Sequence, residues 1–358
     1  MAVSAATVLA HRLNRQGFSR LLTNPKAYPS LFERLQPVSP VHFSYPGSPP
    51  GLVHRTAFDH HSVADRLREN RTLVKGRFLG GSIGYVLAKD LGTYAAAFRR
   101  PIARLNDNQD IVLNIVRELG PLTPRQIKAE TRLWEESGLL NKEIMPALHR
   151  LQEAFLVYED QTDDDWERDW YDFAAEWPEV HLDDIAWEDA AARVLRRFLH
   201  SHVFATLEQI KDWSRFPLKT LKPLLNQMEA DGILAAAEID SLGSGWMCAP
   251  DADLPPAASE PSILMLHRAD TLAKSHATEL KRRFGGHKVL QYLLIDGAFQ
   301  GAVLGHWRIG PHDVDDILVE RPAAERKTRR NAILSAVAGA YHPPRHHIRN
   351  YDGKPVKS

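Results

Sequence analysis

The sequence contains almost no cysteine, and this scarcity excludes two kinds of stabilising site. Cys248 is the single cysteine among 358 residues, so a disulfide framework and a cysteine-based zinc site are both excluded. We expect a reducing, cytoplasmic compartment. No run approaches the roughly 18 apolar residues of a membrane helix, and the N-terminal segment lacks a signal-peptide core, so we predict no membrane partner.

Several cofactor and catalytic motifs are absent as well. No GxxxxGK[ST] is present, so we predict no nucleotide cofactor, and without GxSxG a Ser-His-Asp triad cannot be assigned. His42, His54, His60 and His61 lie near one another in sequence. They lack carboxylate or cysteine ligands at metal spacing, which makes them weak evidence for a metal. We therefore predict neither a metal nor another cofactor.

The chain carries no net charge, but its charges are unevenly distributed. Residues 159–189 contain fourteen acids and one base, a net charge of −13, so the rest of the neutral chain carries +13. A basic body with one acidic connector is compatible with a polyanionic partner. A solvated acidic linker with scattered bases is the alternative.

The order of predicted helices and strands indicates an α+β protein of tandem winged-helix (helix-turn-helix) domains followed by a small β-rich C-terminal domain. Six segments are predicted in chain order: an N-terminal winged-helix-like domain with a Pro-rich loop and a β-hairpin (1–105), a second winged helix (106–160), an acidic connector (161–186), a third winged helix (187–249), the β-rich domain (260–320), and a C-terminal helix with a loose basic tail (321–358).

An internal repeat supports the two central winged helices. Thr123, Gln126, Ile127 and Lys128 reappear at an offset of 83 residues, as Thr206, Gln209, Ile210 and Lys211. Leucines of the following helix and strand are matched by apolar residues at an offset of 77. The difference of six residues predicts an insertion near 132–137 in the first copy.

A proline-rich loop, Gln36 to Arg55, stands out in the N-terminal domain. Its five prolines are incompatible with a helix or a central strand. It is also rich in apolar residues, which predicts an ordered and partly buried loop, and such loops are often functional. The loop presents His42 and Ser44. The alternative is that it only wraps the domain.

Basic residues on the predicted recognition helices and hairpin, at the end of the Pro-rich loop and in the β-rich domain are candidate DNA contacts. Lys and Arg side chains at such positions bind phosphates or base edges, and an apolar residue on a hairpin can act as a minor-groove wedge. The alternative for each basic residue is that its charge is only solvated, and the alternative for Phe78 is that it is buried in an ordinary hairpin. The candidates are Arg55, Lys75, Arg77, Phe78, Lys142, Arg150, Lys219, Lys222, Arg268 and Lys274.

Four stretches resemble the winged-helix DNA glycosylases of the AlkZ/YcaQ family. They read FLGGSIGYVLAKDL, VFATLEQIKDW, LHRADTLAKS and QYLLIDGAFQGAVLGHWRIGPHDV, and the resemblance extends over residues 3–320. PGSPPGLVHR (Pro46–Arg55) is similar to the family's PxxPxxxLWxR. The family's catalytic Gln-x-Gln or Gln-x-Asp then falls on His42-Phe43-Ser44. The hairpin motif Arg-Gly-Thr-x-His falls on Gly80–Gly84, where both Arg and His are missing.

The resemblance implies a monofunctional DNA glycosylase that hydrolyses the N-glycosidic bond of alkylated or crosslinked purines. This reaction needs a positioned water and a group that accepts its proton. We expect Ser44 to orient the water and His42 to act as the base. The expected partner is double-stranded DNA bound by a monomer, associated with the nucleoid if the protein is bacterial. A non-catalytic, regulatory DNA-binding protein on the same fold is the alternative.

Overall fold

The computed structural model describes residues 3–40, 50–134, 138–161, 167–306, 313–341 and 347–356. They form two compact units, and each is built from separate stretches of the chain. The first unit comprises Met1–Asn24, Leu52–Phe58 and Phe198–Ser358, and the second comprises Pro25–Gly51 and Asp59–Arg197. The predicted segment 1–105 is therefore divided between both units.

The apolar spacing near the N-terminus predicts a helix over residues 3–20, but the observed first helix is shorter. α1 (Ala5–Arg15) begins at Ser4, whose hydroxyl accepts a hydrogen bond from the Thr7 amide at 3.1 Å. It ends well before the predicted residue 20, because Gly17 takes a positive φ of 81° that no helix continues. Its buried face includes Val8 and Leu13.

The second unit opens with two helices and a hairpin. The helices are α2 (Tyr28–Leu35) and α3 (His60–Glu69). Strands β1 (Leu73–Phe78) and β2 (Ser82–Leu87) then pair antiparallel, which confirms the predicted hairpin, and α4 (Leu91–Phe98) follows. Gly80 and Gly81 turn the hairpin at positive φ, a backbone conformation that favours glycine.

A three-helix module with a two-stranded ribbon completes the second unit. Its elements are α5 (Asp107–Leu119), α6 (Pro124–Trp134), α7 (Asn141–Glu153), β3 (Val157–Asp160) and β4 (Asp169–Asp172), followed by the short α8 (Phe173–Glu176). β4 lies inside the predicted acidic connector, and its Trp170 is fully buried in the module core. The prediction of a connector over 161–186 is therefore wrong for this stretch, because apolar residues between the acids pack inward.

The same order of elements follows in α9 (Trp187–His202), α10 (Leu207–Ser214), α11 (Leu218–Ala230), β5 (Leu234–Ile239) and β6 (Gly243–Cys248). The chain passes from the second unit to the first within α9. Three helices and a β-ribbon are the element order of a winged helix.

The internal repeat is visible in hydrogen bonds as well as in sequence. At the start of α6, the amide of Thr123 donates to the Gln126 side chain at 2.8 Å, and Thr206 and Gln209 make the same bond at 3.0 Å before α10. In each copy, the residue before that threonine forms a β-bridge with a ribbon tryptophan: Leu122 with Trp170, and Ala205 with Trp246. The predicted duplication is therefore confirmed.

The C-terminal part of the first unit is built around a four-stranded antiparallel sheet. It contains β7 (Ile263–Leu266), then helices α12 (Thr271–Ser275) and α13 (Ala277–Phe284), then β8 (Val289–Ile295), β9 (Ala298–Gly305) and β10 (Val314–Val319), in the order β10-β9-β8-β7. The turn Asp296-Gly297 joins β8 to β9 at φ values of 52° and 82°, and an Asp-Gly pair between two apolar runs is a sequence signal for such a hairpin.

Helices cover both faces of this sheet. α14 (Ala323–Tyr341) packs Ile333 and Val337 against one face, while α12, α13 and Leu13 of α1 cover the other. The described part of the tail adds the hairpin β11 (Asn350–Tyr351) and β12 (Lys354–Pro355), and Tyr351 is buried in the core. The prediction of a loose tail is wrong for residues 347–356. Among the described helices, none is long and apolar enough to cross a membrane.

A buried histidine in the first unit is held in its neutral form. The Nε2 of His276 accepts from the Gln209 side-chain amide at 2.9 Å, and its Nδ1 lies 3.0 Å from the carbonyl oxygen of Leu272. Burial, with a smaller contribution from the positive charge of Arg12, lowers the pKa of His276 to about 4. Burial also lowers the pKa of the neighbouring His202.

We expect this histidine to make the fold sensitive to mild acid. The unfolded chain binds a proton near pH 6.5, whereas folded His276 does so only near its lowered pKa. The contribution of neutral His276 to the free energy of unfolding is therefore fully present above about pH 6.5 and is lost as the pH falls towards 4. At pH 5 the loss from this group alone is about 2 kcal/mol. Urea unfolding at pH 7 and pH 5 measures the loss.

The matched variants are His276→Asn and His287→Asn, since the side chain of His287 is exposed. His276→Asn should reduce the difference in unfolding free energy between the two pH values. His287→Asn should retain the wild-type difference. Equal pH dependence in wild type and His276→Asn would contradict the assignment of a neutral buried imidazole.

Candidate functional site

The two candidate catalytic residues, His42 and Ser44, lie outside the described residues, within 41–49. The residues on either side of this stretch pair with each other. Pro40 and Pro50 pair as an antiparallel bridge, and the amide of Gly51 donates to the carbonyl oxygen of Ser39 at 3.2 Å. The two ends of the stretch are thus brought together at one point of the second unit.

This meeting point rests on strand β2. The Ser39 hydroxyl donates to the carbonyl oxygen of Ile83 at 2.9 Å, and Val38 forms a β-bridge with Tyr85. A side chain at Gly84 would bring its Cβ to 3.2 Å from the Cβ of Pro37, so glycine lets the two segments approach closely without displacing the proline. The hairpin and the proline-rich segment therefore form one connected structure.

Lys75 of the hairpin does not point towards solvent. Its amine forms a 3.1 Å ion pair with Glu159 of β3, and the two side chains are 2% and 0% exposed. Burial alone would raise the pKa of Glu159, but the charges of Lys75 and Arg168 outweigh it and lower that pKa. The prediction that Lys75 contacts DNA is corrected: a lysine enclosed with its counter-ion cannot reach a phosphate.

Phe78 is not available as a wedge either. Its ring is fully buried, with ring centroids of Phe155 at 5.6 Å and of Tyr94 and Phe98 at 6.2 Å. Leu79 is buried too. The alternative interpretation of an ordinary hairpin with a buried Phe78 is therefore correct, because one face of a β-ribbon must pack on the core.

Arg77 is half-buried and engaged at both ends of its guanidinium. It donates to the side-chain oxygen of Gln152 at 2.8 Å and to the carbonyl oxygen of Gly81 at 3.0 Å. These bonds join the hairpin turn to α7. Arg150 of α7 is also engaged, because it donates to the carbonyl oxygens of Arg100 and Pro101 at 2.7 and 2.9 Å.

Arg55 is entirely buried in the first unit. Its guanidinium makes a two-pronged ion pair with Asp270, at 2.6 and 3.1 Å, and donates to the backbone oxygen of Gln16 at 2.8 Å. The ring of Phe18 lies 4.1 Å from its Cζ atom. The prediction that Arg55 contacts DNA is wrong, because no part of the side chain is accessible.

The same carboxylate lies at the start of the helix that carries Lys274. Asp270 caps α12 by accepting from the Leu272 amide at 2.9 Å, and Lys274 lies one turn further along this helix. Burial, followed by the positive charge of Arg215, lowers the pKa of Lys274 to about 8. Lys274 is half-buried, so its assignment as a phosphate contact stays a prediction.

The remaining candidates are on the surface. Lys219 and Lys222 are exposed three residues apart on α11, the third helix of the second module. Lys142 is exposed at the start of α7, and Arg268 is exposed just before α12. In the described residues, no group of three His, Cys, Asp or Glu lies close enough to hold a metal ion.

Comparison with known proteins identifies the family. The sequence profile of the "DNA glycosylase AlkZ-like" family matches residues 49–341. The chain belongs to this family. The solved structure of the Streptomyces sahachiroi DNA glycosylase AlkZ has the same fold, with a TM-score of 0.71 and 16% sequence identity, over 98% of this chain and 100% of that one. A search of curated protein sequences finds no significant match.

Sequence reasoning missed the acidic partners in this AlkZ-like chain. Glu159 was counted with the acidic segment and Asp270 was given no buried partner, yet each neutralises a buried cation from a distant segment. No periodicity or spacing signals such a pairing.

We expect Arg55→Met to destabilise the protein by about 3–5 kcal/mol, because it leaves the Asp270 carboxylate buried without its counter-ion. Chemical denaturation at pH 7 measures the change. The control is Arg268→Met, a change of the same size at an exposed position, which should cost less than about 0.5 kcal/mol. Similar losses in both variants would show that the ion pair is not structurally important.

Proposed function

We propose that this chain is a DNA repair enzyme, a monofunctional glycosylase that hydrolyses the N-glycosidic bond of alkylated or crosslinked purines. The observation that carries the proposal is the AlkZ-like family match over residues 49–341. The name of the Streptomyces structure, a DNA glycosylase with the same fold, supports it. The proposed partner is double-stranded DNA, bound by a monomer.

The two three-helix modules are proposed to be winged helices that bind duplex through their third helices. Exposed lysines support this role: Lys142 begins α7, and Lys219 and Lys222 lie on α11. Arg268 and Lys274 are proposed as further phosphate contacts. Arg77 and Arg150 are fixed by hydrogen bonds, and their role in the proposal is to hold the hairpin and α7 in place.

His42 and Ser44 are proposed as the groups that handle water. A histidine can accept the proton of the attacking water, and a serine hydroxyl can orient it. Alkylated purines that already carry a positive charge are good leaving groups, so modest assistance suffices. The paired ends of the segment, Pro40 and Pro50, support the proposal, because they return the chain to one place on the second unit.

A second candidate function is non-catalytic DNA binding on the same fold. The tripeptide His42-Phe43-Ser44 stands where the family's Gln-x-Gln or Gln-x-Asp is expected, and the profile match begins after it, at Pro49. A protein without the amide pair that holds water can retain binding while losing excision. Excision and binding must therefore be measured separately.

We expect release of the damaged base from duplexes that carry a methylated purine or an interstrand crosslink. His42→Ala should lower the rate by about 10²–10⁴-fold, the usual contribution of a general base. Ser44→Ala should also lower it, and the double variant should be at least as slow as His42→Ala. Full activity in the double variant would overturn the catalytic assignment. Salt-dependent binding without excision in the wild type would favour the second function.

The proposed DNA-binding surface on α11 can be tested separately from excision. Lys219→Ala with Lys222→Ala should weaken duplex binding and reduce the slope of log K against log salt by about one per lost contact. Fluorescence anisotropy between 50 and 200 mM salt would show the change. Lys89→Ala removes an exposed lysine outside the proposed surface and should leave the slope unchanged. Equal slopes in all variants would exclude α11 from the interface.

A further inference from the structure

Four polar side chains of the second unit form a cluster where the β1–β2 hairpin meets α7 and the β3–β4 ribbon. Arg77 belongs to β1, His149 and Gln152 lie three positions apart on one face of α7, and Arg168 directly precedes β4. Nε of Arg77 donates to the side-chain oxygen of Gln152 at 2.8 Å. Burial, with contributions from the positive charges of Arg77 and Arg168, lowers the pKa of His149. These four side chains are therefore neighbours, and we call them the Arg77 cluster.

Arg77 differs from the cations around it, because no carboxylate in the described part of the chain forms an ion pair with it. The neighbouring acids are already engaged: Glu159 by Lys75 and Arg168, Glu153 by Arg100 and Arg150, and Asp160 by Arg68. Burial lowers the pKa of Arg77, and the charges of Glu159 and Glu153 do not offset this effect. The cluster therefore carries uncompensated positive charge.

Two buried N–H donors in this region have no acceptor among the described residues. Gln152 is 2% exposed, and its oxygen must face Arg77, since a guanidinium nitrogen can only donate. The Nε2 amide of Gln152 is therefore directed elsewhere, and it has no partner. The indole N–H of fully buried Trp170, whose ring centroid lies 6.2 Å from that of His149, has none either. Buried donors are nearly always satisfied, so donors beside uncompensated positive charge point to an anionic acceptor.

The cluster can be reached from solvent. Arg77 and His149 are half-buried, and the side chain of Arg168 is 39% exposed. Arg77 uses Nε for Gln152 and Nη1 for the carbonyl oxygen of Gly81, which leaves Nη2 without a partner in the residues that the structure describes. Its guanidinium is thus held in place with donors to spare, and such planar groups match the oxygens of phosphate. Because it is already fixed, contact with a ligand costs little conformational entropy.

The cluster lies one strand away from the ends of the candidate catalytic segment. Arg77 is the antiparallel partner of Ile83, and the carbonyl oxygen of Ile83 accepts from the Ser39 hydroxyl at 2.9 Å. The carbonyl oxygen of Ser39 in turn accepts from the amide of Gly51, so these two residues flank the stretch 41–49. Paired strands lie only about 4.8 Å apart. A phosphate of a DNA strand bound at this segment is therefore within reach of Arg77.

We propose that the Arg77 cluster binds one backbone phosphate of the DNA strand that carries the damaged base. Arg77 makes the main contact through Nη2, Arg168 adds a second positive charge, and Gln152 and His149 donate neutral hydrogen bonds. The inference rests on the proposed DNA-binding function and adds to it a phosphate subsite beside the candidate catalytic segment. In this arrangement Arg77 both holds the hairpin turn and positions the strand.

The first test is duplex binding, measured by fluorescence anisotropy over a range of salt concentrations. Arg77→Met should weaken binding about tenfold and lower the magnitude of the slope of log K against log salt by about one, the effect of one lost phosphate contact. Arg77→Lys should retain the slope, because an ammonium also contacts phosphate, although it cannot reproduce the bonds to Gln152 and Gly81. A purely structural role of Arg77 predicts equal effects of the two changes, and that outcome would overturn the proposal.

Gln152→Glu tests the cluster without removing Arg77. The new carboxylate keeps the bond to Arg77 and supplies the ion pair that it lacks, so the fold is retained while the phosphate meets a competitor. Binding should weaken, and the magnitude of the slope should again fall by about one. The matched control, Arg117→Met, changes the net charge by the same amount at an arginine already paired with Asp172, and it should bind like the wild type. Should Arg77→Met not fold, Gln152→Glu decides alone: wild-type binding by this variant overturns the subsite.

Neutral methylphosphonates, placed singly beside the lesion on the damaged strand, locate the contacted phosphate. At that position the substitution should weaken binding by the wild type about as much as Arg77→Met does, and it should have no further effect in the Arg77→Met variant. Absence of any such position contradicts the inference while leaving DNA binding intact. Failure of the wild type to bind duplex at low salt would instead overturn the proposed function, and this subsite with it.

Discussion

The buried ion pair between Arg55 and Asp270 is the constraint on which much of the first unit depends. It joins the short stretch Leu52–Phe58 to the cap of α12, across 215 residues of sequence. A guanidinium inside a protein requires a carboxylate in good geometry, since either charge alone is very costly to bury. Because this pair is two-pronged and supported by Gln16, it fixes the stretch in both position and orientation.

The second unit uses the same principle at its hairpin. Lys75 and Glu159 are both enclosed, and Arg77 joins the hairpin turn to Gln152 of α7. The positive charge counted along the sequence therefore overstates what is available to a polyanion. The net charge of +13 outside the acidic segment includes Lys75, whose field is cancelled by Glu159 of that segment. The exposed lysines of α7 and α11 are a smaller and more localised source of attraction.

Much of the fold can be predicted from local patterns in the sequence. The duplicated Thr-x-x-Gln motif predicts both capped helices, and Asp296-Gly297 predicts its hairpin, because each depends on residues within four positions. The roles of Lys75, Phe78 and Arg55 could not be predicted this way. Each of them has a partner from a segment 77 or more residues away, and a basic side chain has the same sequence signature whether it faces DNA or a buried acid.

The bridge between Pro40 and Pro50 has a consequence for how such proteins diversify. A segment whose two ends are already joined can change in length at little cost, since doubling a loop adds only ~0.6 kcal/mol of closure entropy. The proposed catalytic tripeptide lies within this segment, so its surroundings can vary in length while the bridge stays in place. The same fold can therefore accommodate different side chains at this position while the rest of the chain stays constant.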